Sequence, residues 1–133
     1  MTHFLWTSNL NTGIDLIDDD HRQLVGMINA LTEAITEGRG RDVMGKVLDN
    51  LVTYYKVHFG REEEIMVLTN FPGYEQHKFE HDKFIAEVDQ LKSNFDSGAI
   101  INSSYVDKFL SDWLRNHIVK VDTKLAATLR RQQ

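Results

Sequence analysis

The chain has 133 residues with six histidines, no cysteine and one proline, Pro72, a length that suits one compact domain spanning 1–133. The lack of cysteine excludes a disulfide scaffold, a thiolate zinc site, an iron–sulfur cluster and a cysteine nucleophile. A formal net charge of −5 argues against nucleic acid as the main partner, since the only basic cluster of note is the tail Lys124…Arg130-Arg131.

One proline is well below the usual ~5% of residues and leans toward long, uninterrupted helices. Four breaker clusters punctuate the chain: Thr7–Gly13, Gly38-Arg-Gly40, Asn70-Phe-Pro-Gly73, and Asp96-Ser-Gly98 through Asn102-Ser-Ser104. After an N-terminal extended arm, a first helix is expected over 18–37. Its stripe is Leu24, Val25, Ile28, Leu31 and Ile35, one face of a 3.6-residue period. Asp18 reads as its N-cap, with Asp19 and Asp20 at the positive end of the dipole. The second, over 42–69, carries Val43, Val47, Leu48, Leu51, Tyr55, Ile65 and Met66. The third, over 74–95, carries Phe84, Ile85, Val88, Leu91 and Phe95. The fourth, over 104–121, carries Val106, Phe109, Leu110, Trp113, Leu114, Ile118 and Val121. A short fifth helix is expected near Thr123–Arg130. No strand-like alternation of useful length interrupts this pattern. The expected fold is all-α, an antiparallel up-down-up-down four-helix bundle. No stretch approaches the ~18 apolar residues of a membrane span, and Met1–Trp6 does not read as a signal peptide. A cytoplasmic protein is expected.

The histidines fall on the apolar stripes. His21 lies three residues before Leu24, and His58 three after Tyr55. His77 and His81 extend the third stripe backwards, and His117 continues the fourth. Only His3 stands apart. Glu62 sits one turn after His58 on the same face. Asp122 follows His117 by five residues, about 140° round an ideal helix, so it belongs at the edge of the inward face.

A single core histidine is ordinarily satisfied by one hydrogen bond. Five imidazoles and two carboxylates in one small core are hard to satisfy that way, because a buried unpaired carboxylate costs several kcal/mol. A metal centre supplies the positive charge and accepts the imidazole lone pairs. Seven protein ligands are too many for one ion and about right for two. Nitrogen and oxygen donors without sulfur suit iron, manganese or zinc, and shared carboxylates argue for a redox-active pair over a closed structural zinc. The Glu-x-x-His motif of ferritin-like di-iron bundles does not occur here.

Four motifs stand in order on the four helices: Ile17-Asp-x-x-His21, His58-Phe-x-x-Glu62-Glu, His77-x-x-x-His81 and Trp113-Leu-x-x-His117-Ile-x-x-x-Asp122. Together they resemble the hemerythrin family in its single-domain bacterial form, bacteriohemerythrin, from about Trp6 to Asp122. The resemblance implies reversible O2 binding at two non-haem iron ions. One iron would be held by His77, His81 and His117. The other would be held by His21 and His58 and would keep one open position. Glu62 and Asp122 would bridge both, together with an oxo or hydroxo group. Leu24, Phe59, Trp113, Leu114 and Ile118 would line an apolar O2 pocket that keeps water and protons out. Relatives often carry a tyrosine three residues after the bridging aspartate. Here that position is Leu125, which puts a hydrogen bond from that side in doubt.

The expected role is oxygen storage, delivery or buffering by a monomer, with an oxygen-consuming protein as a further partner. The alternatives carried are O2 or redox sensing, and peroxide or nitric-oxide scavenging, at the same site. Sensors of the family are usually fused to a transducing domain, for which this chain has no room. Enzymatic O–O cleavage would want an inward acid beyond the bridging pair, so no enzyme is expected. Simple iron or zinc binding completes the alternatives.

Overall fold

The computed structural model describes residues 4–118 and 123–131. A turn of 3-10 helix, Ser8–Leu10, precedes α1 (Asp15–Thr36), α2 (Gly40–Leu68), α3 (Tyr74–Asp96), α4 (Ser103–His117) and α5 (Thr123–Arg131). α1 packs on α2 and α4, and α2 packs on α3. Rings close the fourth side, with Phe84 of α3 centred 4.5 Å from Trp113 and 5.8 Å from Phe109 of α4. Short connections between long helices make neighbours antiparallel, which gives the all-α up-down-up-down bundle. No helix among the described residues is long and apolar enough to cross a membrane.

The helix ends follow from local chemistry. Gly38 takes φ 76° after α1, so the Arg39 N–H reaches back to the Ala34 carbonyl at 2.6 Å. Gly98 repeats the device after α3, at φ 92°, with the Ala99 N–H bonded to the Asn94 carbonyl at 2.9 Å. Asn102 caps α4, its side-chain oxygen accepting the Tyr105 N–H at 3.0 Å.

The start of α1 departs from the sequence expectation. The helix begins at Asp15 behind Ile14, and Asp18 lies inside it. The buried Asp18 carboxylate accepts the Thr12 N–H at 2.9 Å, the Thr12 hydroxyl at 2.8 Å and the Gly13 N–H at 3.2 Å. It satisfies donors of the preceding loop instead of capping its own helix, which is why the helix starts three residues early. The N-terminal arm is also tied down. Phe4 and Leu10 are buried, and Asn29 exchanges hydrogen bonds with the backbone N–H and C=O of Phe4, at 2.7 and 3.1 Å.

The main core interleaves Leu24, Ile28 and Leu31 of α1, Leu48 and Leu51 of α2, Phe84 and Val88 of α3, and Leu110 and Leu114 of α4. Each such side chain contributes on the order of 1.5–3 kcal/mol by burial. A second apolar cluster, Ile17, Met66, Phe71 and Leu125, docks α5 onto the bundle. The core is interrupted where Glu62 of α2, His77 and His81 of α3 and His117 of α4 face one another.

Candidate metal centre

Glu62 projects from α2, His77 and His81 from successive turns of α3, and His117 from the last turn of α4. Residues four apart share a helix face, which is how α3 delivers two imidazoles to one place. All four residues are buried, and one ligand atom from each lies within 4.8 Å of every other. His77 Nε2 is 3.2 Å from Glu62 Oε1, and His81 Nε2 is 3.6 Å from the same oxygen. Ring centroids of His77 and His117 are 4.9 Å apart, and those of His81 and His117 are 5.1 Å apart.

Aromatic rings hold two of these imidazoles in plane. Phe59 stacks on His81 with centroids 3.9 Å apart and planes 4° from parallel. Trp113 stacks on His117 at 4.3 Å and 14°. Each ring thus loses a rotational freedom that binding would otherwise have to remove.

The residues present fit a cation. His81 Nδ1 faces Glu63 Oε2 at 3.0 Å, while its buried Nε2 has no hydrogen-bond partner among the described residues. A proton on Nδ1 leaves the Nε2 lone pair directed toward the cluster. Burial, the largest single influence on His81, lowers its pKa, yet the Glu62 and Glu63 carboxylates outweigh it and raise the group above the usual histidine value. The pocket therefore favours positive charge at its centre. Three imidazoles and a carboxylate, with no sulfur, are donors for iron, manganese or zinc.

The other expected ligands are placed differently. His21 is buried on α1, its ring edge-on to His117 with centroids 6.5 Å apart. His58 stands outside the four-residue group. Its Nδ1 lies 2.5 Å from Asp20 Oδ1 and its Nε2 lies 3.1 Å from Gln23 Oε1, both on α1. A surface groove of about 530 Å³ between α1 and α2, walled by Met27, Tyr54 and Val57, reaches Gln23 and His58. Asp122 and His3 lie outside the described residues.

Of the expected pocket residues, Leu24, Phe59, Leu114 and Ile118 are buried in the main core, and Trp113 is half-buried against it. Leu125 is fully buried with Ile17, Met66 and Phe71. An apolar side chain there packs the second cluster.

Two carboxylates outside the expected ligand set, Asp20 and Glu63, each meet an imidazole. Asp20 is 1% exposed. Burial raises its pKa, the nearby His58 ring lowers it, Glu62 raises it again and Arg61 lowers it; burial prevails. The signal was its position three residues after Ile17 and four before Leu24, on the apolar stripe itself. Glu63 lies 100° round the helix from Glu62, and its partner His81 is on another helix, so spacing along α2 could not reveal it.

The family model for the hemerythrin HHE cation binding domain matches residues 12–129. The chain belongs to the hemerythrin family. It is 39% identical over 118 residues to a bacteriohemerythrin of Stenotrophomonas maltophilia, covering 89% of this chain and 76% of that one. It is 34% identical over 123 residues to a bacteriohemerythrin of Methylococcus capsulatus, covering 92% of this chain and 93% of that one. A crystal structure of a wild-type hemerythrin superposes with a TM-score of 0.86 at 34% identity, over 96% of this chain and 98% of that chain. The buried group of Glu62, His77, His81 and His117 could hold a metal ion, and it lies within the residues that the cation binding domain model matches.

Proposed function

We propose that this chain binds O2 reversibly at a non-haem di-iron site, for oxygen storage, delivery or buffering. The observation that carries the proposal is the buried convergence of Glu62, His77, His81 and His117 in a hemerythrin-family bundle. In this assignment His77, His81 and His117 would hold one iron, His21 and His58 would hold the second, and Glu62 and Asp122 would be shared between them. When bound, the iron pair supplies the two electrons that O2 capture draws on.

The residues around the site set the conditions. Leu24, Phe59, Leu114 and Ile118, all buried, would keep water and its protons away from the site. Phe59 and Trp113 keep the rings of His81 and His117 in orientation. Glu63 holds a proton at His81 Nδ1 and directs Nε2 inward. Among the described residues, the carboxylates that reach the histidines are each engaged with an imidazole: Asp20 with His58, Glu62 with His77 and Glu63 with His81. That engagement favours a binder over an enzyme that donates protons to cleave O–O. The same reading makes the chain a cytoplasmic monomer that supplies an oxygen-consuming partner.

Oxygen uptake tests the proposal. Ferrous protein should take up one O2 for each iron pair and return it when the gas phase is replaced with argon. Continuous consumption of O2 in the presence of a reductant would favour scavenging.

A further inference from the structure

Asp20 is a buried carboxylate outside the proposed ligand set. It is 1% exposed, and its Oδ2 has no hydrogen-bond partner among the described residues. Arg61, the cation nearest to it, approaches Oδ1 only to 3.7 Å from a largely solvated position. A carboxylate held in that state costs several kcal/mol unless a specific interaction offsets it. Its one close contact is His58 Nδ1, at 2.5 Å from Oδ1, a charge-pair distance at which the ring N–H is not yet aligned on the oxygen.

We propose that Asp20 is a positioning residue for His58. It accepts the Nδ1 proton, which leaves Nε2 as the ring's only lone pair and fixes the direction in which that lone pair points. This inference rests on His58 being a metal ligand. A carboxylate behind a ligating imidazole selects the tautomer and makes the ring a stronger donor. Tyr54 supports the arrangement from two sides. Its ring lies 4.5 Å from that of His58, and its hydroxyl donates to the Asp20 carbonyl at 3.0 Å. The turn of α1 that carries Asp20 is thereby tied to the turn of α2 that carries His58. With the proton on Nδ1, Nε2 is an acceptor, and Gln23 meets it with the NH2 end of its amide, since the two ends of that group are interchangeable in position. Gln23 then holds Nε2 by a neutral hydrogen bond, a weak competitor for a cation. Glu63 and His81 repeat the arrangement on the other side of the site, at 3.0 Å. Each of the two imidazoles thus has a carboxylate behind it from a different helix.

Two measurements test the assignment. Long-range proton–nitrogen NMR of histidine-labelled protein, with no metal added, reads the tautomer of His58 directly. The Nδ1–H form is expected, and an Nε2–H form would overturn the proposal with no substitution required. The second is cobalt(II) binding to the unaltered protein, Asp20→Asn, His58→Ala and the double variant. Asp20→Asn removes a buried charge at constant shape, and should weaken binding about 10–100-fold. In the His58→Ala background the same change should have no further effect, since a merely structural role would cost the same in both. An Asp20→Asn effect that persists undiminished in the double variant overturns the positioning role. If His58→Ala itself leaves cobalt binding unchanged, the ligand assignment of His58 fails, and with it the ground for this inference. If His58→Ala weakens binding while Asp20→Asn does not, the ligand assignment stands and the positioning role alone is overturned.

Discussion

The Phe59 ring lies flat against the His81 ring, with centroids 3.9 Å apart. One face of an imidazole is thus sealed by hydrocarbon while its edge stays directed at Glu62 and Glu63. Phe59 also meets Phe84 edge-on at 5.3 Å and Trp113 at 5.6 Å, so it joins the hydrophobic core to the histidine cluster.

Phe59→Ala should therefore cost about 3–5 kcal/mol of stability. Phe59→Leu keeps the apolar wall, loses the stack, and should cost about 0.5–1.5 kcal/mol. Urea denaturation with a chelator present separates these packing losses from any contribution of metal. A Leu variant as unstable as the Ala variant would mean that the stack, and not the filled volume, dominates.

Glu62→Ala should lose iron and stability together. Glu62 is buried against His77 and His81, and a bound metal stabilises the folded state by mass action. Metal analysis should find two irons in the reconstituted parent and fewer in the variant. A chelator should lower the melting temperature of the parent and leave that of the variant nearly unchanged. A variant that kept two irons and full oxygen binding would contradict the bridging role, and one zinc per chain in the parent would contradict the iron assignment.

Asp18→Ala should release the arm. Three donors of Thr12 and Gly13 converge on that carboxylate. Hydrogen bonds to a charged acceptor are each worth about 1.5–3 kcal/mol, less what water restores at this half-open loop. The Thr12 amide should exchange with solvent much faster in the variant, while amides in α3 keep their protection.

Tyr55 provides a pH signature outside the histidine cluster. Its hydroxyl donates to Asp89 Oδ1 at 2.5 Å, and burial, with that bond, pushes its pKa up to about 12. The protonated form is the one that folding favours. The contribution is fully present below the unfolded tyrosine value near ~10 and is lost as pH rises through about 12. Ultraviolet titration should show a tyrosine that ionises late, and the late phase should vanish in Tyr55→Phe. That substitution should cost about 1 kcal/mol at neutral pH, because the exposed Asp89 is rehydrated.

The bundle was legible because Leu24, Ile28 and Leu31, and their counterparts on the other helices, repeat at the helical period. The four clustered residues were legible because each continues such a stripe on its own helix. Asp18 misled because its carboxylate bonds to a loop six residues back, a tertiary choice that no capping rule encodes. Asp20 and Glu63 were missed for a related reason. Each meets an imidazole on a different helix, His58 and His81, so the relationship exists only once the helices pack. The orientation of His58 toward α1 is non-local in the same way, since inward periodicity places a residue on a face and leaves its side-chain torsions open.

Visible absorption of the ferrous protein reads the reversibility of oxygen binding itself. Exposure to air should produce new charge-transfer bands, flushing with argon should remove them, and the cycle should repeat with little loss. Irreversible conversion on first exposure to a ferric spectrum that argon does not change would contradict reversible binding.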